Sequence, residues 1–148
     1  MTACIDDDRR ACARRATAAP LILVVEDDVR TLDFILTLLK YATNASVLDA
    51  RDPWSASSAA NAAGRPIDLL ISDIDLAAGK TGIDLAHELA ASHASLKVIL
   101  MSAREVPRRH LDPAWRFLSK PFMITALLDC VDALGMPVST RWHGNARR

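Results

Sequence analysis

The chain has no apolar run able to span a bilayer. The stretch from Ala16 to Val25 falls far short of the ~20 residues that a spanning helix needs. Arg14 and Arg15 precede it in the manner of a secretory signal. Yet it runs straight into Glu26, Asp27 and Asp28 with no small-residue cleavage site between. A buried strand in a cytoplasmic protein is therefore expected, with no membrane partner. Net charge is missing too: 18 basic side chains balance 18 acidic ones, which leaves no basic field for nucleic acid. Aromatic residues make up only 5% of the chain, too few for a base-stacking platform. The three cysteines, Cys4, Cys12 and Cys130, are odd in number and without metal-ligand spacing, as suits a reducing compartment. His87, His93, His110 and His143 show no ligand spacing either, so surface or helix-face positions are expected for them. Trp54, Trp115 and Trp142 suggest no cofactor box.

What is present is the balance of an ordinary globular domain. Of the 148 residues, 51% are hydrophobic and 24% charged, a composition typical of a soluble protein. A chain of this length buries roughly 70% of its unfolded surface, enough for a real core. Residues 1–19 mix acids and arginines without periodicity and are expected to be a flexible tail. The folded domain is expected over residues 20–135, with 136–148 as a second, loose tail.

Within the domain, strand and helix signals alternate. Leu21–Val25 is a continuous apolar run, typical of a strand covered on both faces. Leu32, Ile35, Leu36 and Leu39 then recur at helical spacing, to about Tyr41. Ser46–Ala50 reads as a strand, and Asp52-Pro53 as the N-cap and first turn of a helix stopping at Gly64. Ile67–Ser72 is a strand ending on Asp73. Ile83, Leu85, Ala86 and Leu89 mark a third helix. Lys97–Ser102 and Trp115–Ser119 are further strands. Ile124, Leu127, Leu128, Val131 and Leu134 form the last helical stripe, closed by Gly135 at C′. Such alternation implies right-handed crossovers, a parallel sheet and helices on both faces.

Ligands of such sheets bind beyond the carboxyl ends of the strands. Glu26 and Asp27, Asp73, Ser102 and Lys120 all fall there, on one rim. At ~4 Å and an effective dielectric near 20, each like-charged pair of carboxylates costs on the order of 4 kcal/mol. A cation is implied, and hard oxygen ligands with room for water favour Mg²⁺. Asp28 reads more simply as a helix cap, and the Asp75 side chain reads equally well as facing solvent.

Four blocks carry a family resemblance: Leu21–Asp28 (LILVVEDD), Asp68–Asp75 (DLLISDID), Val98–Ala103 (VILMSA) and Phe117–Phe122 (FLSKPF). In this order at strand ends, over about residues 20 to 135, the chain resembles the receiver domains of bacterial two-component response regulators. The resemblance implies a doubly wound α/β fold, a five-stranded parallel sheet in order 2-1-3-4-5 with flanking helices. It implies Asp73 as phosphoacceptor, a carboxylate nucleophile that forms an acyl phosphate. Asp27 would ligate Mg²⁺ directly, with Asp73 beside it and Glu26 acting through a metal-bound water. Asp75 would offer its backbone carbonyl to the metal. Ser102 would hydrogen-bond the phosphoryl oxygen and Lys120, before a commonly cis Lys-Pro bond, would pair with it. Ser102 and Phe117 would be the switch residues. The donor would be a sensor histidine kinase or a histidine phosphotransfer protein. With no room after Gly135 for an output module, signalling is expected to pass to a downstream protein partner. A homodimer stays open.

The sequence departs from the family in two places. The loop from Ile74 to Gly82 lacks the usual proline near Ala77 and is one residue longer. Between Ser102 and Lys120 the chain is shorter, and Pro107 and Pro113 interrupt it. The family's fourth helix is therefore expected to shrink to a turn or short 3₁₀ piece. Two other functions remain. One is a degenerate receiver that binds a protein without phosphorylation. The other is a phosphatase resembling the haloacid dehalogenases, which use DxD, Ser/Thr and Lys in that order; no acidic pair follows the lysine here apart from Asp129 and Asp132. The expectation is not an enzyme, beyond self-phosphorylation and autodephosphorylation at Asp73.

Overall fold

The computed structural model describes residues 18–77 and 79–141, apart from the side chain of His110. Residues 1–17 of the expected N-terminal tail lie outside the described residues, as do Trp142 and His143. The element order is β1 (Leu21–Val25), α1 (Val29–Ala42), β2 (Ser46–Ala50), α2 (Pro53–Ala62), β3 (Leu69–Asp73), α3 (Gly82–Ser92), β4 (Lys97–Ser102), a 3₁₀ turn (Arg108–His110), β5 (Arg116–Ser119) and α4 (Ile124–Ala133). All strand pairs are parallel, in the order β2-β1-β3-β4-β5.

The uninterrupted apolar strands follow from burial on both sides. In β1, Ile22 and Val24 face a core completed by Leu32, Ile35, Leu38 and Leu39 of α1 and by Leu127, Leu128 and Val131 of α4. Leu21, Leu23 and Val25 face the opposite core, against Ala56 and Ala60 of α2 and Leu85, Ala86 and Leu89 of α3. Each such aliphatic side chain, fully buried, contributes roughly 1.5–3 kcal/mol. α2 is built largely of alanine and serine and packs through Pro53, Ala56 and Ala60. Asp28 caps α1 by accepting from the N–H of Arg30 and the hydroxyl of Thr31, and Asp52 caps α2 through Ser55.

Several boundaries differ from expectation. β3 begins at Leu69: the Ile67 N–H turns to His93 Nδ1 at 3.1 Å. Asp68 still reaches both neighbours, its N–H donating to the Leu21 carbonyl and its carbonyl accepting the Lys97 N–H, and its carboxylate takes the Leu21 N–H at 2.8 Å. β5 begins at Arg116, since the Trp115 N–H is bonded to the Asp112 carbonyl in a turn. The expectation of a loose tail at 136–148 fails for its first residues. Met136 and Val138 are buried in the α1/α4 core, and the Ser139 N–H donates to the Ala42 carbonyl at 2.7 Å. Apolar side chains beside an open core edge outweigh the absence of a regular element there. Gly135 does stand at C′ of α4, with φ +85°. Between β4 and β5 only the 3₁₀ turn remains of the family's fourth helix, as Pro107 and Pro113 imply.

Candidate functional site

The rim of the sheet is assembled by ladder bonds that continue past the strand ends. The Glu26 N–H donates to the Ala50 carbonyl at 3.1 Å, extending β1 beside β2. The Ile74 N–H donates to the Met101 carbonyl at 2.8 Å, fixing the residue after Asp73 against β4. The Lys120 N–H donates to the Ser102 carbonyl at 2.8 Å. Backbone pairing alone thus brings Glu26, Asp73, Ser102 and Lys120 together. Gly82, at the start of α3, lies against the back of Asp73: a Cβ on it would meet the Asp73 carbonyl oxygen at 2.0 Å. Its own N–H donates to the Ile74 carbonyl at 2.9 Å, so only glycine lets the helix approach this closely.

Carboxylate oxygens of Glu26, Asp27 and Asp73 lie within 4.8 Å of one another. Glu26, Asp73 and Ser102 are buried, and Asp27 is half-buried. Lys120 Nζ reaches into the group, 2.5 Å from Glu26 Oε2 and 3.2 Å from Asp73 Oδ2. Burial pushes the Glu26 carboxyl above its usual range, against the pull of the Lys120 and Asp28 N–H bonds. Burial also works to lower the Lys120 pKa, but the carboxylates of Glu26 and Asp73 together hold it above the usual lysine value. An ammonium set between two acids in a largely dry rim is firmly charged. The Lys120–Pro121 peptide is cis.

The structure brings Glu26, Asp27, Asp73, Asp75, Ser102 and Lys120 together at the rim, but not Phe117. Glu26, Asp27 and Asp73 form the acidic group, with Lys120 inside it and Ser102 buried beside it. Phe117 is half-buried on the α2/α3 side of the sheet, with the Arg108 guanidinium 6.0 Å from its ring centroid. The Asp75 backbone N–H donates to Asp73 Oδ1 at 3.3 Å. Its side chain does more than face solvent, because Arg104 grips it at both oxygens, holding its carboxyl below the usual range. Arg104 was not legible in the sequence; its place two residues after Ser102 is the only signal for it. His93 likewise has a partner that its lack of ligand spacing did not reveal, the Ile67 N–H, whereas His87 is exposed and packs tilted against Trp115, with ring centroids 4.7 Å apart.

This combination of doubly wound sheet and acidic rim with an inserted lysine defines a class. The family model described as response regulator receiver domain matches residues 22–132, and the chain belongs to that family. Solved structures agree on the fold. The receiver domain of an HD domain-containing protein from Pseudomonas fluorescens Pf-5 is similar at 23% identity with TM-score 0.70, covering 86% of this chain and 100% of that one. The chemotaxis protein CheY4 of Vibrio cholerae is similar at 20% identity with TM-score 0.69, covering 79% and 99%. A receiver domain protein from Clostridium thermocellum gives 20% and 0.68, covering 78% and 93%. No curated protein matches the sequence. Among the described residues, no helix is long and apolar enough to cross a membrane.

Proposed function

We propose that this receiver domain accepts a phosphoryl group on Asp73, from a sensor histidine kinase or histidine phosphotransfer protein, and signals to a protein partner in the cytoplasm by changing shape. The observation that carries the reading is the position of Lys120 Nζ, 3.2 Å from Asp73 Oδ2 within the acidic group. A lone buried aspartate needs only one neutralising partner. Three clustered carboxylates around one lysine leave an excess of negative charge that suits a cation and a transferred phosphoryl group.

Phosphoryl transfer asks for in-line positioning and for neutralisation of charge on the equatorial oxygens. An Asp73 carboxylate oxygen attacks phosphorus while the donor's bond to phosphorus breaks, and the donor leaves with the electron pair. No general base is needed, since the nucleophile carries no proton to remove. Lys120 lies where it can follow charge from Asp73 Oδ2 onto the phosphoryl oxygens, and the Ser102 hydroxyl can donate to one of them. The clustered oxygens of Glu26, Asp27 and Asp73 fit Mg²⁺ as hard donors, with the Asp75 carbonyl as a further candidate ligand. When bound, the ion would offset the phosphoryl charge. The protein turns over no separate substrate on this reading; its chemistry is limited to gaining and losing its own phosphoryl group.

The test is intact mass after incubation with acetyl phosphate and Mg²⁺, for the wild type and for Asp73→Asn. One phosphoryl adduct that requires Mg²⁺ and is missing in the variant is expected. A folded wild type that takes no adduct would overturn the reading and favour phosphorylation-independent protein binding. Steady turnover of a phosphomonoester would instead favour the phosphatase.

A further inference from the structure

Past α4 the chain heads for an open apolar groove. Met136 and Val138 are buried against the α1/α4 core. Val138 bridges Thr43 just beyond α1, and the Ser139 N–H holds the Ala42 carbonyl at 2.7 Å. Two residues later, Arg141 lines a hollow of about 560 Å³ between α1 and the start of α4. Its other walls are Phe34, Thr37, Leu38, Tyr41 and Ile124. Phe34, Leu38 and Tyr41 stand at i, i+4 and i+7 and so share one face of α1. Leu38 is buried, whereas Phe34 is 41% and Tyr41 73% exposed. Two aromatic rings open to water beside a buried leucine make a seat with no occupant among the described residues.

Covalent geometry limits what reaches that seat first. Successive Cα atoms lie about 3.8 Å apart, so residue 142 stands one step from the hollow. The stretch 142–148 reads Trp-His-Gly-Asn-Ala-Arg-Arg. It carries a single large apolar side chain, at the position nearest the hollow. A tryptophan offers about 150–250 Å² for burial, and its indole can meet Phe34 and Tyr41 edge-to-face or in offset stacks. A segment of the same chain gives up no freedom of a separate molecule on binding. It is therefore favoured over a partner of equal contact area.

We propose that Trp142 seats in this groove and makes the segment 142–148 a strap, which closes the apolar face of α1 to other molecules. A protein that docks on this face must first displace the strap. Phe34 also borders a second hollow, with Arg30, Lys120 and Phe122. The face that the strap enters thus continues along α1 to the lysine of the acidic group. The proposal stands on the groove and on chain connectivity, independently of phosphorylation at Asp73.

Fluorine NMR of the 148-residue chain, labelled with 5-fluorotryptophan, tests this. Trp54, Trp115 and Trp142 are its three tryptophans, and Trp142→Phe identifies the Trp142 resonance by its loss. Trp54, 63% exposed on α2, serves as the internal standard for a wet ring. On exchange of H₂O for D₂O, the Trp142 resonance is expected to move less than that of Trp54. Phe34→Ala and Tyr41→Ala each open the groove at an exposed position, which leaves the core untouched. Each is expected to shift the Trp142 resonance and to spare Trp54 and Trp115, which lie on the α2/α3 side of the sheet. Dilution should change nothing. A Trp142 ring as wet as Trp54 in the wild type would overturn the strap, as would one that ignores both substitutions. A Trp142 ring that turns wet on dilution would also overturn it, and would assign the groove to a second copy of the chain.

Discussion

Replacing Lys120 with methionine removes a cation from the acidic rim while keeping most of the side-chain volume. Lys120 Nζ holds Glu26 at 2.5 Å and Asp73 at 3.2 Å, and one carboxylate of the pair is fully buried. Taking one partner from a buried ion pair typically costs 3–5 kcal/mol. The lysine is in part solvent-exposed, which screens the interaction, so a loss of about 1–3 kcal/mol is expected. It should show as a lower urea midpoint with an unchanged slope. Mg²⁺ should then reverse much of the loss. With the lysine gone, the acidic group should bind a divalent cation without competition, and a ligand at 100 times its Kd stabilises by about 2.7 kcal/mol. The Mg²⁺ gain should therefore be larger in the variant than in the wild type. Equal stability without Mg²⁺, or equal Mg²⁺ gains in both proteins, would refute the reasoning.

The pH dependence of the same pair has a definite sign. Lys120 is raised above 10.5 in the folded chain. Its contribution is not limited by lysine deprotonation below 10.5 and is lost as pH rises through the folded value, so on the alkaline side the gap between wild type and variant should close only in strong alkali. Glu26 runs opposite to an ordinary acid, because burial raises it above 4.5. The folded chain holds that proton more tightly than the unfolded one, so this group's part of the stability falls as pH climbs from 4.5 through the folded value. Removing Lys120 raises Glu26 further and carries that decline to higher pH.

Gly82→Ala sets a Cβ 2.0 Å from the Asp73 carbonyl oxygen. Displacing α3 to accommodate it should cost roughly 1–3 kcal/mol in urea unfolding and slow adduct formation as well; an unshifted midpoint would show that the helix yields freely. His93→Ala leaves the Ile67 N–H without its acceptor. A loss of about 1–3 kcal/mol and faster hydrogen exchange at the Ile67 amide are expected, and unchanged exchange would mean that water replaces the ring at no cost.

Much of this molecule can be read in its sequence because regular burial writes regular patterns. β1 is apolar at every position because helices cover both its faces, and α1 repeats its leucines and isoleucine along one stripe. The site follows from the same regularity, since residues just past the strand ends of a parallel sheet must share a rim. Contacts between irregular segments leave no such trace. Arg104 and Asp75 lie in two different loops, 29 residues apart, and no spacing rule joins them. His93 stands at a helix C-cap, 26 residues from the amide it accepts. Met136 and Val138 reach the core through an isolated bridge to Thr43, too short to leave a period.

The segment between β4 and β5 shows why the chemistry and its output are separable. A helix there would cover the sheet with one apolar stripe. Without it, Val106, Leu111 and Trp115 reach the α2/α3 core from an irregular path, beside Phe117 of β5, and Arg108 rather than a helix covers the Phe117 ring. The acidic cluster is held independently of this change, because it hangs on the ladder bonds of Glu26, Ile74 and Lys120, which the sheet supplies. Ser102 is tied to Lys120 by one of those bonds, while its hydroxyl is tied to the altered segment through Arg104. It is therefore the described residue that joins the sheet rim to the altered segment. A partner recognising this face would meet the Arg104–Asp75 pair and the Arg108-covered Phe117 instead of a helix.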